Sequence, residues 1–146
     1  MSELKDTIKI KGRLEIFNAR TGELLFEKDN LVVNNGLNFI VDRLKSNTPN
    51  VLSHIAVGTN NTPVSSTDIQ LYSELLRKAI TDINTIDNVL TVETQYEDFE
   101  ALGHWYECGV FNAITSGVMF NRIIIDFLKT TEDAVRVKFT FTITAS

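Results

Sequence analysis

The chain has 146 residues, of which 43% are hydrophobic and 23% charged, and its net charge is -5. These values are typical of one globular domain, and an acidic chain without a basic cluster is a poor binder of nucleic-acid backbones. Cys108 is the single cysteine, which excludes an intramolecular disulfide and a cysteine-based zinc site. The start of the chain lacks the apolar segment of a secretory signal, and no apolar run approaches the roughly 20 residues of a membrane span. We therefore expect synthesis in a cytoplasm and no insertion into a membrane.

The first third of the chain predicts a hairpin followed by a helix. Residues 8–17 alternate between apolar and mostly charged side chains, which is the pattern of a half-buried strand. A turn at residues 18–22 and a returning strand from Leu24 complete the hairpin. Apolar residues then recur at helical spacing and form one stripe, which predicts a short helix. The members of this stripe are Leu37, Ile40, Val41 and Leu44.

The rest of the chain predicts a second helix and several strands. A strand at about residues 53–57 leads into a polar loop at 59–66, and Thr67 with Gln70 then fits the capping box of a helix that ends near Arg77. Strands follow at about residues 78–84, 88–98, 104–112, 117–128 and 134–145. About eight short strands predict one mainly β domain over residues 1–146, an antiparallel β-sandwich of jelly-roll-like or small-barrel type with two short helices.

No motif predicts a reaction, a metal site or a cofactor. His54 and His104 lack the spacing of metal ligands, and the sequence contains no nucleophile elbow, dinucleotide fingerprint or phosphate loop. Acidic residues around Phe99 could suggest a glycosidase pair, but a solvated strand end is the simpler interpretation. We therefore predict a protein that is not an enzyme, with no catalytic residue, no bound metal and no cofactor.

An aromatic-rich region in the middle of the chain has two interpretations. Its members include Tyr96, Trp105 and Tyr106. Aromatic side chains supply much of the buried area of a small β domain, which favours a role in the core. The same residues could instead contact a sugar or a partner protein.

Four charged residues lie within apolar sequence: Glu74, Arg77, Glu107 and Arg122. An unpaired buried charge costs several kcal/mol, so these side chains should pair with each other or with the backbone. Our hypothesis is a structural clamp that ties the second helix to the later strands. Arg77→Ala or Glu107→Ala is then expected to lower the melting temperature by many degrees.

Four short motifs in a fixed order carry a resemblance to a known family. They are HIAVGT at residues 54–59, TDIQLYSELLR at 67–77, ECGVF at 107–111 and MFNR at 119–122. This order resembles a family of bacteriophage virion proteins, the small β-rich domains of tail-fibre, tail-collar, baseplate and other particle-surface components. The resemblance covers residues 30–144, which is most of the chain.

The resemblance implies a non-enzymatic virion structural protein, made in the cytoplasm of a bacterial host. Such a protein would assemble as a homo-oligomer and bind other virion proteins, with the tail, collar, fibre or baseplate preferred over the capsid. Residues 1–7 would be an extended docking segment. The alternatives are a capsid decoration or head-fibre protein, and a carbohydrate-binding module that binds a host surface glycan. The loop that would contact neighbours contains Thr59, Asn60, Asn61, Thr62, Pro63 and Ser65.

Overall fold

The chain folds into strands and one helix over the part that the structure, a computed structural model, describes, residues 7–145. The hypothesised docking segment, residues 1–7, lies outside this range except for Thr7. None of the helical structure described is long and apolar enough to cross a membrane. The elements in chain order are β1 (Ile8–Asn18), β2 (Leu24–Val32), α1 (Asn34–Lys45), β3 (His54–Gly58), β4 (Glu74–Ala79), β5 (Asp82–Ile86), β6 (Val89–Tyr96), β7 (Gly103–Phe111), β8 (Asn121–Lys129) and β9 (Val135–Ala145).

The strands form one antiparallel sheet that curls into a half-barrel. Its strand order is β4-β3-β7-β8-β2-β1-β9-β6-β5, so β4 and β5 are the two edges. The shortest pairing in the sheet joins β2 to β8 through two residue pairs, Leu31 with Arg122 and Val32 with Asn121. The predicted mainly β, antiparallel architecture is confirmed, with nine strands in the sheet.

The core lies inside the curl, between the two halves of the sheet. The alternation predicted for the first strand is present, with Leu14 and Ile16 fully buried on its inner face. Tyr96 on β6 bridges to the other half: its hydroxyl donates a hydrogen bond of 2.9 Å to the carbonyl of Ile55 on β3. Its ring lies 5.0 Å from that of Trp105 on β7, in an edge-to-face contact. The inner faces of both halves therefore bury one shared hydrophobic core.

Helix α1 forms where it was predicted but turns a different face inward. Its buried residues are Gly36 and Phe39. Gly36 packs so closely that a Cβ there would lie 2.1 Å from the carbonyl oxygen of Phe120. Of the predicted apolar stripe, Val41 is 63% and Leu44 83% exposed, so much of the stripe faces outward.

The prediction of a second helix, from Thr67 to about Arg77, is wrong. Residues 66–73 are turn and bend, and residues Glu74–Ala79 form the edge strand β4, paired with β3. A helix here would need its backbone N–H groups to donate to carbonyls four residues earlier. The N–H groups of Tyr72 and Ser73 donate instead to the buried side chain of Glu107. The capping-box pattern at Thr67 was therefore overridden by a tertiary contact.

Candidate functional site: a buried charge network

Glu107 is a fully buried carboxylate in the middle of β7. Its Oε1 accepts hydrogen bonds from the backbone N–H of Tyr72 at 2.9 Å and from Nε of Arg122 at 2.9 Å. Its Oε2 accepts from the N–H groups of Ser73 at 2.8 Å and Asn60 at 3.3 Å. Four donors therefore replace the water that this charge loses on burial.

Arg122 on β8 is the matching buried cation, with a side chain that is fully buried. Its Nη1 donates to the carbonyl of Thr62 at 2.9 Å and to Oδ2 of Asp68 at 3.2 Å. Its Nη2 donates to the carbonyl of Asn60 at 3.4 Å. The guanidinium also stacks on the ring of Tyr72, 4.3 Å from its centroid. The pair of Glu107 and Arg122 thus fixes the backbone of the loop between β3 and β4.

Asp68 is the third charge of the network and is 4% exposed. Its carboxylate accepts hydrogen bonds from the N–H of Ser65 at 3.0 Å and from the hydroxyl of Tyr72 at 2.7 Å. Burial pushes the pKa of Asp68 up, but the donors from Ser65 and Tyr72 and the charge of Arg122 outweigh it and lower that pKa overall. The clamp hypothesis omitted Asp68, although it stands in the second motif directly after Thr67.

The lowered pKa of Asp68 predicts a loss of stability in acid. Because the unfolded chain binds this proton more tightly than the folded chain, the stabilisation is complete above the ordinary pKa of 3.8. It is lost as the pH falls through the lower, folded pKa. We expect Asp68→Asn to flatten the fall of unfolding free energy below about pH 4, measured by urea unfolding across the acid range. The matched control is Asp82→Asn on the exposed edge strand β5, which should leave the curve unchanged. An equal flattening in both variants would contradict the assignment.

Two motif glycines make room for this network. A Cβ at Gly58 would lie 2.5 Å from Oε2 of Glu107 and 2.5 Å from the carbonyl oxygen of Ser73. A Cβ at Gly109 would lie 2.5 Å from the carbonyl oxygen of Asn121. Larger residues at either position would collide with backbone or displace the carboxylate. Both glycines are part of the sequence motifs. The close tertiary contacts that require a glycine at these positions cannot be inferred from the spacing of the motifs.

Glu74 and Arg77 form an ion pair with each other, apart from the network of Glu107 and Arg122. The hypothesis of one clamp made of all four residues therefore needs correction. Arg77 pairs with Glu74 at 2.7 Å within the edge strand β4. It also donates to the carbonyls of Ala113 and Ser116, each at 2.9 Å, and its guanidinium lies 3.7 Å from the ring centroid of Phe111. Arg77 therefore ties β4 to the turn that follows β7, whereas Glu107 and Arg122 hold the loop before β4.

The structure divides the three aromatic residues considered for glycan contact. Tyr96 and Trp105 are fully buried, which corrects the surface interpretation for both, because a sugar cannot reach their rings. The Trp105 indole N–H donates to the carbonyl of Ala101 at 2.7 Å. Tyr106 is half-buried and stacks on His104, with ring centroids 4.4 Å apart.

The loop predicted to contact neighbours presents exposed side chains on a fixed backbone. Asn60 and Val64 are half-buried, while the other loop residues considered are exposed: Thr59, Asn61, Thr62, Pro63 and Ser65. The backbone is held from beneath by Glu107 and Arg122. This arrangement gives the loop a defined surface.

Two further kinds of candidate site are a metal-binding cluster and the single cysteine. Within residues 7–145, no group of three or more His, Cys, Asp or Glu side chains is placed to hold a metal ion. Cys108 is buried, and desolvation raises its pKa well above the ordinary value. A thiol that stays protonated is a poor nucleophile.

Comparisons with known proteins found no relative: no family model matches the chain, and neither a curated protein nor a solved structure shows significant similarity to it.

Proposed function

We propose that this chain is a non-enzymatic structural protein of a bacteriophage virion. It assembles in multiple copies with other virion proteins, in the tail, collar, fibre or baseplate region. The proposal begins from the order of the four sequence motifs, which resembles such domains. Under this proposal its location is the mature particle, after synthesis in the host cytoplasm.

The observation that carries the proposal is the buried charge network. Its members come from all four motifs: Gly58, Asp68, Glu107 and Arg122 each contribute a contact or the space for one. These residues hold an exposed loop in place, and the side chains of Glu107 and Arg122 that do so are both fully buried. The most extensively hydrogen-bonded polar site of this domain holds a surface loop in place. Such an arrangement suits assembly with other proteins better than catalysis.

The sheet edges and apolar surface also support assembly. Within residues 7–145, strands β4 and β5 end the sheet, so each has backbone groups that face no neighbouring strand. Large apolar side chains are exposed well away from the core, among them Ile86 at 68% and Phe99 at 81%. Closed symmetric assemblies are the common arrangement of repeated identical subunits.

We also propose a more specific description of the fold, and two alternative functions stand beside the main proposal. The two halves that face each other across Tyr96 support an open sandwich as the description of the half-barrel. A capsid decoration or head-fibre role would use the same assembly surfaces at a different place on the particle. The carbohydrate-binding alternative is weaker, because Tyr106 is the one candidate sugar contact that is not fully buried.

Labelling of intact particles tests the proposal. A gold-tagged antibody against this chain, applied to purified phage and viewed by electron microscopy, should place gold at the collar, fibre or tail tip. Pre-incubation of the antibody with purified chain should remove the label. Gold over the head would instead support the alternative of a capsid decoration or head-fibre protein. Absence of the chain from particles, checked by mass spectrometry of the same preparation, would overturn the virion assignment.

A further inference from the structure

The loop between β6 and β7, residues 97–102, presents an exposed aromatic ring; we call it the aromatic tip. Phe99 is 81% exposed and Leu102 44% exposed. Glu97 and Asp98, beside Phe99, are exposed as well. A partner that covers this ring would remove a large apolar area from water.

The aromatic tip is held by many internal contacts. The ammonium group of Lys129 donates to the carbonyls of Glu97 at 2.8 Å and Asp98 at 3.1 Å. Glu100 accepts from the N–H of Glu97 at 2.8 Å and forms an ion pair with Lys78 at 2.5 Å. These contacts fix the backbone on both sides of Phe99. A ring presented by an ordered loop loses little conformational entropy when it binds.

An apolar groove lies between α1 and the edge strand β5; we call it the helix groove. Its volume is about 410 Å³, and its apolar lining includes Leu44, Val51, Ile83 and Leu90. Leu44 is 83%, Val51 54% and Ile83 49% exposed. The groove is therefore open to solvent and large enough to take an aromatic ring.

The charges around the two surfaces are complementary. Arg43 lines the helix groove, and both Arg43 and Lys45 lie in the last turn of α1. The aromatic tip carries the exposed carboxylates of Glu97 and Asp98. Pairing of these carboxylates with Arg43, the charged residue in the groove lining, would favour one orientation of contact.

The two surfaces lie at opposite ends of β6. Leu90 in the groove is near the start of this strand, and Tyr96, just before the tip, is its last residue. Six residues of extended chain separate them by about 20 Å. A copy of the chain therefore cannot place its tip in its own groove, but it can do so in a neighbour's.

We propose that the aromatic tip of one copy inserts Phe99 into the helix groove of a second copy, in a head-to-tail contact. Such a contact joins unlike surfaces, so repetition produces a ring if the rotation closes and a filament if it does not. The inference rests on the proposed function, because it specifies how copies of a virion protein would bind each other.

Sedimentation velocity on the purified chain tests the contact. Wild type should self-associate across a dilution series, whereas Phe99→Ser and Leu44→Asp should each weaken association about thirtyfold or more, as expected for a central aromatic anchor and its pocket. The control, Ile114→Ser, removes a side chain that is 72% exposed in the turn after β7. It should associate like wild type, and all variants should retain wild-type circular dichroism.

Mixing the two interface variants gives the most specific result. Phe99→Ser keeps an intact groove and Leu44→Asp keeps an intact tip, so an equimolar mixture should form a one-to-one dimer that grows no further. Asp98→Lys should weaken association, and adding Lys45→Glu to the same chain should restore it, because every tip and every groove then carries the exchanged charge. A wild type that stays monomeric, a mixture that stays monomeric, or an Ile114→Ser variant that dissociates would each overturn the proposal. Gold labelling of particles is independent of these outcomes, so the virion assignment can stand if this contact fails.

Discussion

Arg122→Met is expected to lower the free energy of unfolding by about 3–5 kcal/mol, because it leaves buried charges without their partner. Glu107 and Asp68 both contact this guanidinium, and both are buried. The substitution also removes the donors to the carbonyls of Asn60 and Thr62. For a chain of this size each kcal/mol lowers the melting temperature by about 2–4 °C. Urea unfolding at neutral pH, followed by circular dichroism, measures the loss.

The matched control for this prediction is Arg13→Met. Arg13 also has two acidic partners, Glu27 at 2.5 Å and Asp29 at 3.0 Å, but its side chain is 39% exposed. Water screens such surface pairs, so we expect a much smaller loss. Glu107→Gln should resemble Arg122→Met, since a glutamine would turn N–H groups toward N–H donors. Similar losses for Arg122→Met and Arg13→Met would contradict the network's structural role.

Strand alternation made most of the sheet predictable from sequence. The first and last strands of the chain, β1 and β9, pair with each other along their whole length. Their inward-facing residues are fully buried: Leu14, Ile16, Val137 and Phe139. Local pattern suffices there because one face is apolar and the other polar. The curl into a half-barrel was not predictable, because alternation along one strand does not specify which strands pair or how the sheet curves.

The missed strand β4 has a specific physical cause. Residues 67–77 carry a capping-box pattern and helix-forming leucines, so local preference favours a helix. The competing interaction is the carboxylate of Glu107, more than thirty residues later, which takes the N–H groups of Tyr72 and Ser73. A single sequence contains no signal for that distant partner.

The sequence predicted two members of the candidate site, Glu107 and Arg122, but neither the third, Asp68, nor the pairing. Charges embedded in apolar sequence predicted that Glu107 and Arg122 would be paired with another charge or with the backbone, and the structure places these two 2.9 Å apart. The same reasoning grouped Glu74 and Arg77 with them, although those two lie at an edge strand and hold a different turn. Burial can be inferred from neighbours in sequence, whereas the partner of a buried charge depends on the tertiary fold.

Lys129→Met is expected to destabilise the fold by about 2–3 kcal/mol, because three partly buried carbonyls lose their charged donor. Lys129 is 2% exposed. Its ammonium group donates to the carbonyls of Glu97 at 2.8 Å, Asp98 at 3.1 Å and Thr130 at 3.0 Å. Burial lowers the pKa of this lysine, while the carboxylates of Asp98 and Glu100 oppose that effect. A methionine fills the same space without donating.

Replacing Lys129 should disturb the backbone of the aromatic tip more than other parts of the fold. The N–H of Glu100 donates to the carbonyl of Glu97 at 3.0 Å, so hydrogen exchange at Glu100 reports whether this turn stays closed. We expect faster exchange there in Lys129→Met than in Lys11→Met, which changes an exposed lysine on β1. Lys129→Met should also weaken self-association, although the lysine itself is buried, because Phe99 would no longer be presented in one position. Unchanged exchange at Glu100 would mean that the tip is ordered by its other contacts, and that Lys129 stabilises the fold without positioning Phe99.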